Sequence, residues 1–167
     1  MAARTGESSA IEALYERFAR AVHGCLLSYV PHSEAEDLLQ DVFEIVLRRL
    51  EELREPAAFP GWLMATTRNV ALQHLRRRGR SDVDLHDIEA DGGGPDESAE
   101  VRHVLAALAR TSPKYREVLV LRLVEGMTGP EIADATGLTH GTVRVYLHEG
   151  MQSLRSSLST AKSKGGA

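Results

Sequence analysis

The sequence has little cysteine and no long apolar run, and each absence excludes a class of protein. Cys25 is the only cysteine among the 167 residues, so no disulfide framework can form within the chain. It falls at an apolar position of a predicted helix, which favours a buried structural thiol over a reactive one. No uninterrupted apolar segment approaches the roughly 20 residues that cross a bilayer, and the first residues do not resemble a secretory leader. We therefore expect a cytoplasmic protein.

The chain also lacks a net positive charge, which would ordinarily count against nucleic-acid binding. Its formal charge is −4, but the acids are unevenly distributed. Residues 81–100 contain eight carboxylates and no lysine or arginine, so this stretch carries −8 and the rest of the chain carries +4. The same stretch contains Gly92-Gly93-Gly94-Pro95 and few large apolar residues. We interpret residues 81–100 as an acidic flexible linker between two domains.

A convincing strand signal is missing as well, and helical periodicity takes its place. Three amphipathic helices are predicted before the linker. Potential capping boxes begin the first two, formed by Ser9 with Glu12 and by Ser33 with Glu36, and the third helix begins near Pro60. Two more helices follow the linker, and 43% apolar residues suffice for real cores. The predicted fold is all-α, with two small helical domains at residues 8–80 and 101–158.

The segment from Thr128 to Arg144 has the layout of a helix-turn-helix, the motif that inserts a helix into a DNA groove. Thr128 with Glu131 forms a capping box for the first helix. Gly137 can take the positive φ that ends this helix, and Thr139 can cap the second. A plain helical hairpin within a core is the alternative interpretation. The small residues, the glycine and the threonine favour the motif because they fall at the spacing that its turn requires.

The second helix of this motif has an apolar side and an outward side. The apolar side is predicted by a repeat every three or four residues, at Val143, Leu147, Met151 and Leu154. In helix-turn-helix proteins the exposed N-terminal residues of the second helix reach base edges, and its flanks hold phosphates. The residues predicted to meet duplex DNA are Thr139, His140, Gly141, Thr142, Arg144, Val145 and His148.

The third helix is chemically unlike the second. Between Phe59 and Arg80 there are five arginines and no acid. One face combines an aromatic ring, amides, a hydroxyl and guanidinium groups, which suits a single nucleic-acid strand because rings stack on bases, amides read base edges and arginines hold phosphates. A solvated polar face with a half-buried Trp62 is the alternative. The residues of this face are Trp62, Thr66, Asn69, Gln73, Arg76 and Arg80.

Four segments, in the right order, resemble the extracytoplasmic-function sigma factors of bacterial RNA polymerase. Residues 34–43, which include Glu36-Asp37-Leu38-Leu39-Gln40-Asp41, resemble the segment with which this family docks on polymerase. Residues 59–72, which begin Phe59-Pro60-Gly61-Trp62-Leu63, resemble its promoter-melting helix. Residues 108–122 and 131–144 are similar to its second sigma domain. The resemblance spans almost the whole chain and implies a sigma factor that binds core polymerase, recognises promoter −10 and −35 elements and initiates transcription.

The resemblance assigns a role to each surface. An acidic helix would repel DNA phosphates, so it makes sense as a polymerase-docking face, which comprises Glu36, Asp37, Gln40, Asp41 and Glu44. The opened −10 element would be contacted by Trp62, Thr66, Arg68, Asn69, Gln73, Arg76, Arg77 and Arg80. The helix-turn-helix would meet the −35 element as duplex. The resemblance also raises an anti-sigma protein as a partner, although no residue identifies one.

Such a protein is expected to bind rather than to catalyse, and to need no cofactor or metal. Promoter opening then rests on differential affinity, because capture of unstacked bases offsets the few kcal/mol lost by unpairing them. A metal-site or enzyme interpretation would have to use Asp84, His86 and Asp87, or His74 with Cys25. The first cluster lies in the predicted linker, and the second lacks enough ligands.

Two rival binding functions stay open at this stage. A stand-alone helix-turn-helix regulator of duplex DNA would leave the acidic second helix and the face of the third helix unexplained. A protein-interaction adaptor that has lost promoter activity is supported only by the low charge of the second motif helix. In that helix Arg144 is the only fixed positive charge before Arg155. We therefore expect a weak or assisted −35 contact with a shallow salt dependence.

Overall fold

The computed structural model describes residues 8–79, 104, 107–108 and 110–164. Within these ranges the backbone forms six α-helices and two short 3-10 turns, at Leu50–Glu52 and Pro56–Ala58, without a strand. The helices are α1 Ser8–Leu27, α2 His32–Arg49, α3 Phe59–Arg77, α4 Pro113–Leu123, α5 Gly129–Thr136 and α6 His140–Lys164. The predicted all-α class is confirmed. The predicted linker at 81–100, the domain boundaries beside it and Arg80 lie outside the described residues.

The start of α2 differs from the prediction. The helix begins at His32 with Pro31 as its N-cap and no side-chain capping bond, so the predicted capping box of Ser33 with Glu36 is wrong. Pro31 has φ −60° and ψ 155°, and its carbonyl accepts from the amide of Ala35 at 3.2 Å. Proline suits this extended cap position because its ring fixes φ. Ser33 therefore lies inside the first turn, where its backbone is already helical.

The first three helices pack around an apolar core. α1 contacts both α2 and α3, and α2 also contacts α3. The predicted apolar stripes of α1 and α2 face this core, where a set of side chains is at most 1% exposed: Val22, Leu26, Val42, Val46, Leu63 and Met64. The opposite face of α2 is exposed, so its carboxylates are accessible to another molecule.

The last three helices form the second half of the molecule, hereafter the C-terminal half (α4–α6), as opposed to the N-terminal half (α1–α3). The middle of α4 is enclosed on all sides, because the six consecutive residues from Arg116 to Leu121 are buried. It packs along α6, and the two helices approach closely at Gly150, where a Cβ would lie 3.1 Å from the Leu119 side chain. A buried α4 thus carries the helix-turn-helix formed by α5 and α6.

The two halves share one continuous core. Val118, Leu121 and Ile132 of the C-terminal half belong to the same buried cluster as Phe18 and Leu26 of α1. α1 packs against α4 and α5, and α3 packs against α5. The sequence pattern predicts two helical units and leaves their contact open, because the apolar face of each helix can be buried by any neighbour.

The turn of the helix-turn-helix lies directly on the start of α3. Gly137 has φ +74°, and a Cβ at this position would lie 2.9 Å from the backbone nitrogen of Gly61. Two requirements therefore coincide at Gly137: a left-handed backbone and a close approach of two main chains. Only the left-handed backbone is predicted from the sequence.

Replacement of Gly137 by alanine is expected to destabilise the protein by about 3 kcal/mol, because left-handed strain adds to a collision with α3. Gly126→Ala is the matched control, since Gly126 has φ +66° and a Cβ added there would meet no atom within 4 Å. Gly126→Ala is expected to cost about 1 kcal/mol, from backbone strain alone. Urea unfolding of both variants measures the difference, and equal losses would contradict the close approach.

Candidate nucleic-acid interface

The helix-turn-helix is built by local hydrogen bonds that the sequence predicts. The Thr128 side chain accepts from the amide of Glu131, and the Glu131 carboxylate accepts from the amide of Thr128 at 2.6 Å. The Thr128 hydroxyl donates to the same carboxylate oxygen at 2.7 Å. The bond from the Thr128 amide, and after it the bond from this hydroxyl, lower the pKa of Glu131. At the start of α6, the Thr139 hydroxyl accepts from the amide of Thr142 at 3.1 Å. Both predicted caps are therefore present, and they fix the angle at which α6 leaves the turn.

The outward face of α6 is where the sequence places it. Val143 is 1% exposed and Leu154 is 4% exposed, so the predicted apolar side is buried. The proposed duplex-contacting side chains point away from the core, and only Thr142 is half-buried: the exposed residues are Thr139, His140, Gly141, Arg144, Val145 and His148. Val145, at 53% exposed, is the most open large apolar residue of this face, which suits contact with a thymine methyl group.

The start of the predicted strand-binding face on α3 is partly covered. Trp62 is half-buried, with its ring centroid 6.0 Å from that of Phe59. Thr66 is 9% exposed, and its hydroxyl donates to the carbonyl of Trp62 at 2.9 Å. The sequence predicts Thr66 on the wet face, but in this arrangement its hydroxyl is already satisfied within the helix.

The rest of the α3 face is open. The side chains that extend into solvent are Asn69, Gln73, Arg76 and Arg77. Together they offer two amides and two guanidinium groups along about two helical turns. The structure therefore keeps the amide and arginine part of the predicted face available to a strand.

Arg68 stands apart from these residues because it is engaged with the C-terminal half. Its guanidinium Nη1 donates to both carboxylate oxygens of Glu117, at 3.0 and 3.1 Å. Burial raises the pKa of Glu117, and the charge of Arg68 acts in the opposite direction. The carboxylate has a side-chain exposure of only 7%, against 38% for the guanidinium. A residue predicted to hold DNA is thus paired with a buried acid of α4.

The acidic face of α2 is fully solvated. Its members are exposed and line one side of the helix: Glu36, Asp37, Gln40, Asp41 and Glu44. Glu44 pairs with Arg48 at 2.7 Å, an exposed pair one helical turn apart that contributes little to stability. The acidic face is therefore not a requirement of the fold.

A groove of about 230 Å³ separates this acidic face from the basic end of α3. Asp41 and Glu44 line its α2 side, and Gln73 and Arg77 line its α3 side. Acidic and basic surfaces therefore meet along one edge of the N-terminal half, so two partners of opposite charge could bind there next to each other.

A buried polar cluster joins the two halves, and the sequence pattern does not predict it. Arg116 is 3% exposed and donates to the carbonyls of Leu108, Ser28 and Thr111, at 2.9, 2.8 and 2.8 Å. Burial lowers the pKa of Arg116 to about 10, so the guanidinium stays charged at neutral pH. The available signal was a pair of adjacent charges, Arg116 and Glu117, directly before the apolar run of α4.

His74 and Cys25, which a metal site would require together, are in other environments: His74 pairs with a carboxylate, and Cys25 is buried in the core. His74 Nε2 lies 2.6 Å from a carboxylate oxygen of Glu34, and Arg78 binds the same carboxylate. Cys25 is fully buried, and burial, together with the charge of Glu117, raises its pKa well above the ordinary value. Among the described residues, no group of three or more His, Cys, Asp or Glu side chains could hold a metal ion; Asp84, His86 and Asp87 lie outside them.

The described helices define the class of the fold: an all-α protein with a helix-turn-helix. Two family models match the chain, Sigma-70 region 2 at residues 14–81 and Sigma-70, region 4 at residues 102–154. Neither describes an enzyme. Among the described helices, none is long and apolar enough to cross a membrane.

Curated relatives agree over most of their lengths. The RNA polymerase sigma factor CarQ of Myxococcus xanthus is 35% identical over 160 residues, which cover 91% of either chain. The ECF RNA polymerase sigma-E factor of Escherichia coli K12 is 30% identical over 155 residues, or 83% of this chain and 81% of the relative. The chain belongs to the extracytoplasmic-function group of the sigma-70 family, and it is an RNA polymerase sigma factor that acts with promoter DNA in transcription initiation.

Two solved structures share the fold. CnrH, solved in complex with the cytosolic domain of CnrY, superposes with a TM-score of 0.60 at 23% identity, over 95% of this chain and 94% of that one. The sigma factor RpoE of Bartonella quintana, solved with the anti-sigma factor NepR, gives a TM-score of 0.55 at 22% identity, over 89% and 96% of the two chains. The predicted arrangement of two helical units with a helix-turn-helix is therefore that of known sigma factors.

Proposed function

We propose a division of labour among the three surfaces of this sigma factor. The acidic face of α2 docks on core RNA polymerase, the amide and arginine face of α3 holds the opened −10 strand, and the outward face of α6 meets the −35 element as duplex. The observation that carries the proposal is that all three faces are exposed. The fold requires only the buried sides of these helices, so it does not account for the polar residues on the exposed sides.

The α3 face suits a strand better than a duplex. Asn69 and Gln73 are separated by one helical turn and can bond the edges of neighbouring unpaired bases, while Arg76 and Arg77 hold the phosphates that follow. Trp62 offers a ring for stacking at the other end of the helix. Capture of the separated strand shifts the promoter toward its open form, because the duplex cannot make these contacts.

The helix-turn-helix and the strand-binding face act together because both bind promoter DNA while the chain is attached to the polymerase. Attachment of both halves to the same enzyme raises the effective concentration of each for its own DNA element. A weak −35 contact is then sufficient. The protein supplies no bond chemistry in this scheme, and it works in the cytoplasm, where the polymerase transcribes.

In-vitro run-off transcription tests the proposal. Core polymerase is incubated with a library of promoter fragments, with and without the full chain. New start sites that require the chain support the assigned role, and their upstream sequences define the −10 and −35 elements. Identical transcript patterns with and without the chain on every template would overturn it. Binding to duplex DNA in the absence of polymerase, with no effect on transcription, would favour a stand-alone regulator instead.

The low charge of α6 gives a quantitative expectation for the −35 contact. Holoenzyme binding to a promoter fragment is measured against salt concentration for the parent chain and for Arg144→Gln. Loss of one phosphate contact is expected to reduce the slope of log K against log salt by about 0.9. His140→Gln serves as the control because it changes an exposed side chain of the same face without removing a fixed positive charge. An unchanged slope for Arg144→Gln would remove Arg144 from the phosphate contacts.

An anti-sigma protein is a further proposed partner. The support is the fold shared with RpoE, which was solved with the anti-sigma factor NepR. The surface that such a partner would use on this chain is a separate question from the three faces above. If deletion of a candidate inhibitor raises transcription that depends on this sigma factor, the deleted protein is the anti-sigma partner.

A further inference from the structure

The end of α3 is tied to the start of α2 by one carboxylate. Glu34, in the first turn of α2, is bound at both oxygens by side chains of α3: one oxygen lies 2.6 Å from His74 Nε2, and the other accepts from the guanidinium of Arg78. The Glu34 side chain is only 16% exposed. Because His74 and Arg78 are one helical turn apart, the carboxylate spans the last turn of α3. We refer to these three side chains as the Glu34 bridge.

Glu34 is oriented differently from the acids of the polymerase-docking face. Residues 34–43 resemble a polymerase-docking segment as a whole, and the acids of the proposed face are exposed along α2. The carboxylate of Glu34 is instead turned toward α3, where its two partners leave little of it accessible to a second protein. Docking on polymerase therefore does not account for an acid at this position, whereas the contact with α3 does.

The part of α3 that the bridge holds carries the basic end of the strand-binding face. Arg76 and Arg77 lie in this last turn and extend into solvent. The amide of Arg78 closes the turn with a bond to the carbonyl of His74 at 3.2 Å. A helix is least constrained at its end, because the final carbonyls have no amides ahead of them to accept from. Fraying of this turn would displace both exposed arginines.

We propose that Glu34 is a positioning residue for strand capture, because its bridge holds the last turn of α3 in the orientation that strand binding requires. Arg76 and Arg77 then reach the phosphates of the −10 strand without first ordering the turn that carries them. Arg76 is two residues from each α3 member of the bridge, which places it roughly 160° around the helix axis from both. The proposal rests on the −10 role of the α3 face that is proposed above.

Electrostatics alone predicts the opposite effect of Glu34 on the strand. A carboxylate next to phosphate-binding arginines repels the phosphates, so its removal would strengthen strand binding. Positioning predicts that removal weakens strand binding, because part of the binding free energy is then used to order the last turn of α3. The sign of the change therefore decides between the two roles.

Two substitutions of Glu34 test the proposal in holoenzyme. Each full-length variant is mixed with excess core polymerase, and anisotropy reports its affinity for a labelled single-stranded −10 oligonucleotide, whose sequence is taken from the run-off experiment above. Glu34→Ala is expected to bind the strand at least about fivefold more weakly than the parent. Glu34→Gln removes the same charge but keeps an oxygen that can accept from either partner, so its affinity should stay within about twofold of the parent.

The control is Glu52→Ala, which removes an exposed acid of the same half. Glu52 pairs with Arg49 at 2.9 Å and has no part in the bridge. Strand affinity should stay within about twofold of the parent, because an exposed ion pair contributes little. If Glu34→Ala fails to fold, Glu34→Asp replaces it. The aspartate retains the charge but is one methylene shorter, and at least about a threefold loss of strand affinity is expected from geometry alone.

Hydrogen exchange tests the bridge without reference to DNA. In the full chain, Glu34→Ala is expected to raise the exchange rate of the Arg78 amide by about fivefold or more, because the last turn of α3 opens more often. Glu52→Ala should leave this rate unchanged. An unchanged rate in Glu34→Ala would overturn the bridge as a constraint on α3, whatever the chain does in transcription.

The strand measurements separate the role of Glu34 from the proposed function. Stronger strand binding by Glu34→Ala would mean that the carboxylate acts only as a charge, and unchanged binding would mean that the bridge serves stability alone; either result overturns the positioning role. A parent chain that directs no transcription at any promoter, while Glu34→Ala still exchanges faster, would instead refute the proposed function and leave the bridge as a structural contact.

Discussion

Charge reversal on α2, by Asp37→Lys with Asp41→Lys, is expected to weaken binding to core RNA polymerase by about 100-fold, or roughly 2.7 kcal/mol. The two carboxylates are exposed and one helical turn apart, so they can meet a single basic surface. Two favourable pairs become two repulsions, whereas the fold is unaffected because neither side chain contacts the core. Fluorescence anisotropy of labelled protein titrated with core polymerase, without DNA, measures the change.

A matched double variant tests whether position or total charge matters. Glu16→Lys with Glu149→Lys makes the same change in net charge on exposed positions of α1 and α6. Its affinity for core polymerase should stay within about twofold of the parent, because exposed charges far from a contact are screened by salt. Equal losses in the two double variants would show that α2 has no special role in docking.

Replacement of Arg116 by methionine is expected to lower the free energy of unfolding by about 3–5 kcal/mol, because a buried charged hydrogen-bonding network loses its centre. Three carbonyls, of Ser28, Leu108 and Thr111, would lose the donor that they share. Methionine keeps much of the apolar stem but can donate to none of them. For a chain of this size the midpoint of thermal unfolding should fall by about 6–20 °C.

Arg155→Met is the control for this change. Arg155 is exposed on α6, so the loss of its guanidinium should alter the free energy of unfolding by less than about 0.5 kcal/mol. Differential scanning calorimetry of both variants gives the comparison. A loss below about 1 kcal/mol for Arg116→Met would mean that water replaces the guanidinium at all three carbonyls, and that the network does not hold the halves together.

Local features of the fold were predictable from the sequence because their causes are local. The capping box of Thr128 with Glu131, the positive φ of Gly137 and the cap at Thr139 each depend on residues within four positions. The same holds for the apolar stripes of α1 and α2. The error at α2 has a local cause too: proline at position 31 outcompetes Ser33 as the cap, since its fixed φ already suits the extended conformation.

The contact between the halves left only a weak trace in the sequence, the adjacent charges of Arg116 and Glu117 before the apolar run of α4. Gly24 looks like an ordinary weak point of a helix, and Glu117 looks like a surface acid at the start of an amphipathic segment. Only the arrangement of α1 against α4 shows that both are buried. Arg68 illustrates the consequence for the site. Its charge marks it as a phosphate contact, but its partner lies 49 residues away, beyond the reach of any periodicity.

The position of Trp62 makes the protein its own optical reporter. It is the only tryptophan in the chain, half-buried beside Phe59 near the point where the turn of the helix-turn-helix meets α3. Ultraviolet emission excited at the red edge therefore originates from a single ring at the proposed meeting place of protein, promoter strand and C-terminal half. Base stacking quenches an indole, while exposure to water shifts its emission to longer wavelength. The kinetics of strand capture, and of any change in the contact between α3 and the turn, can therefore be followed in one stopped-flow trace without a dye.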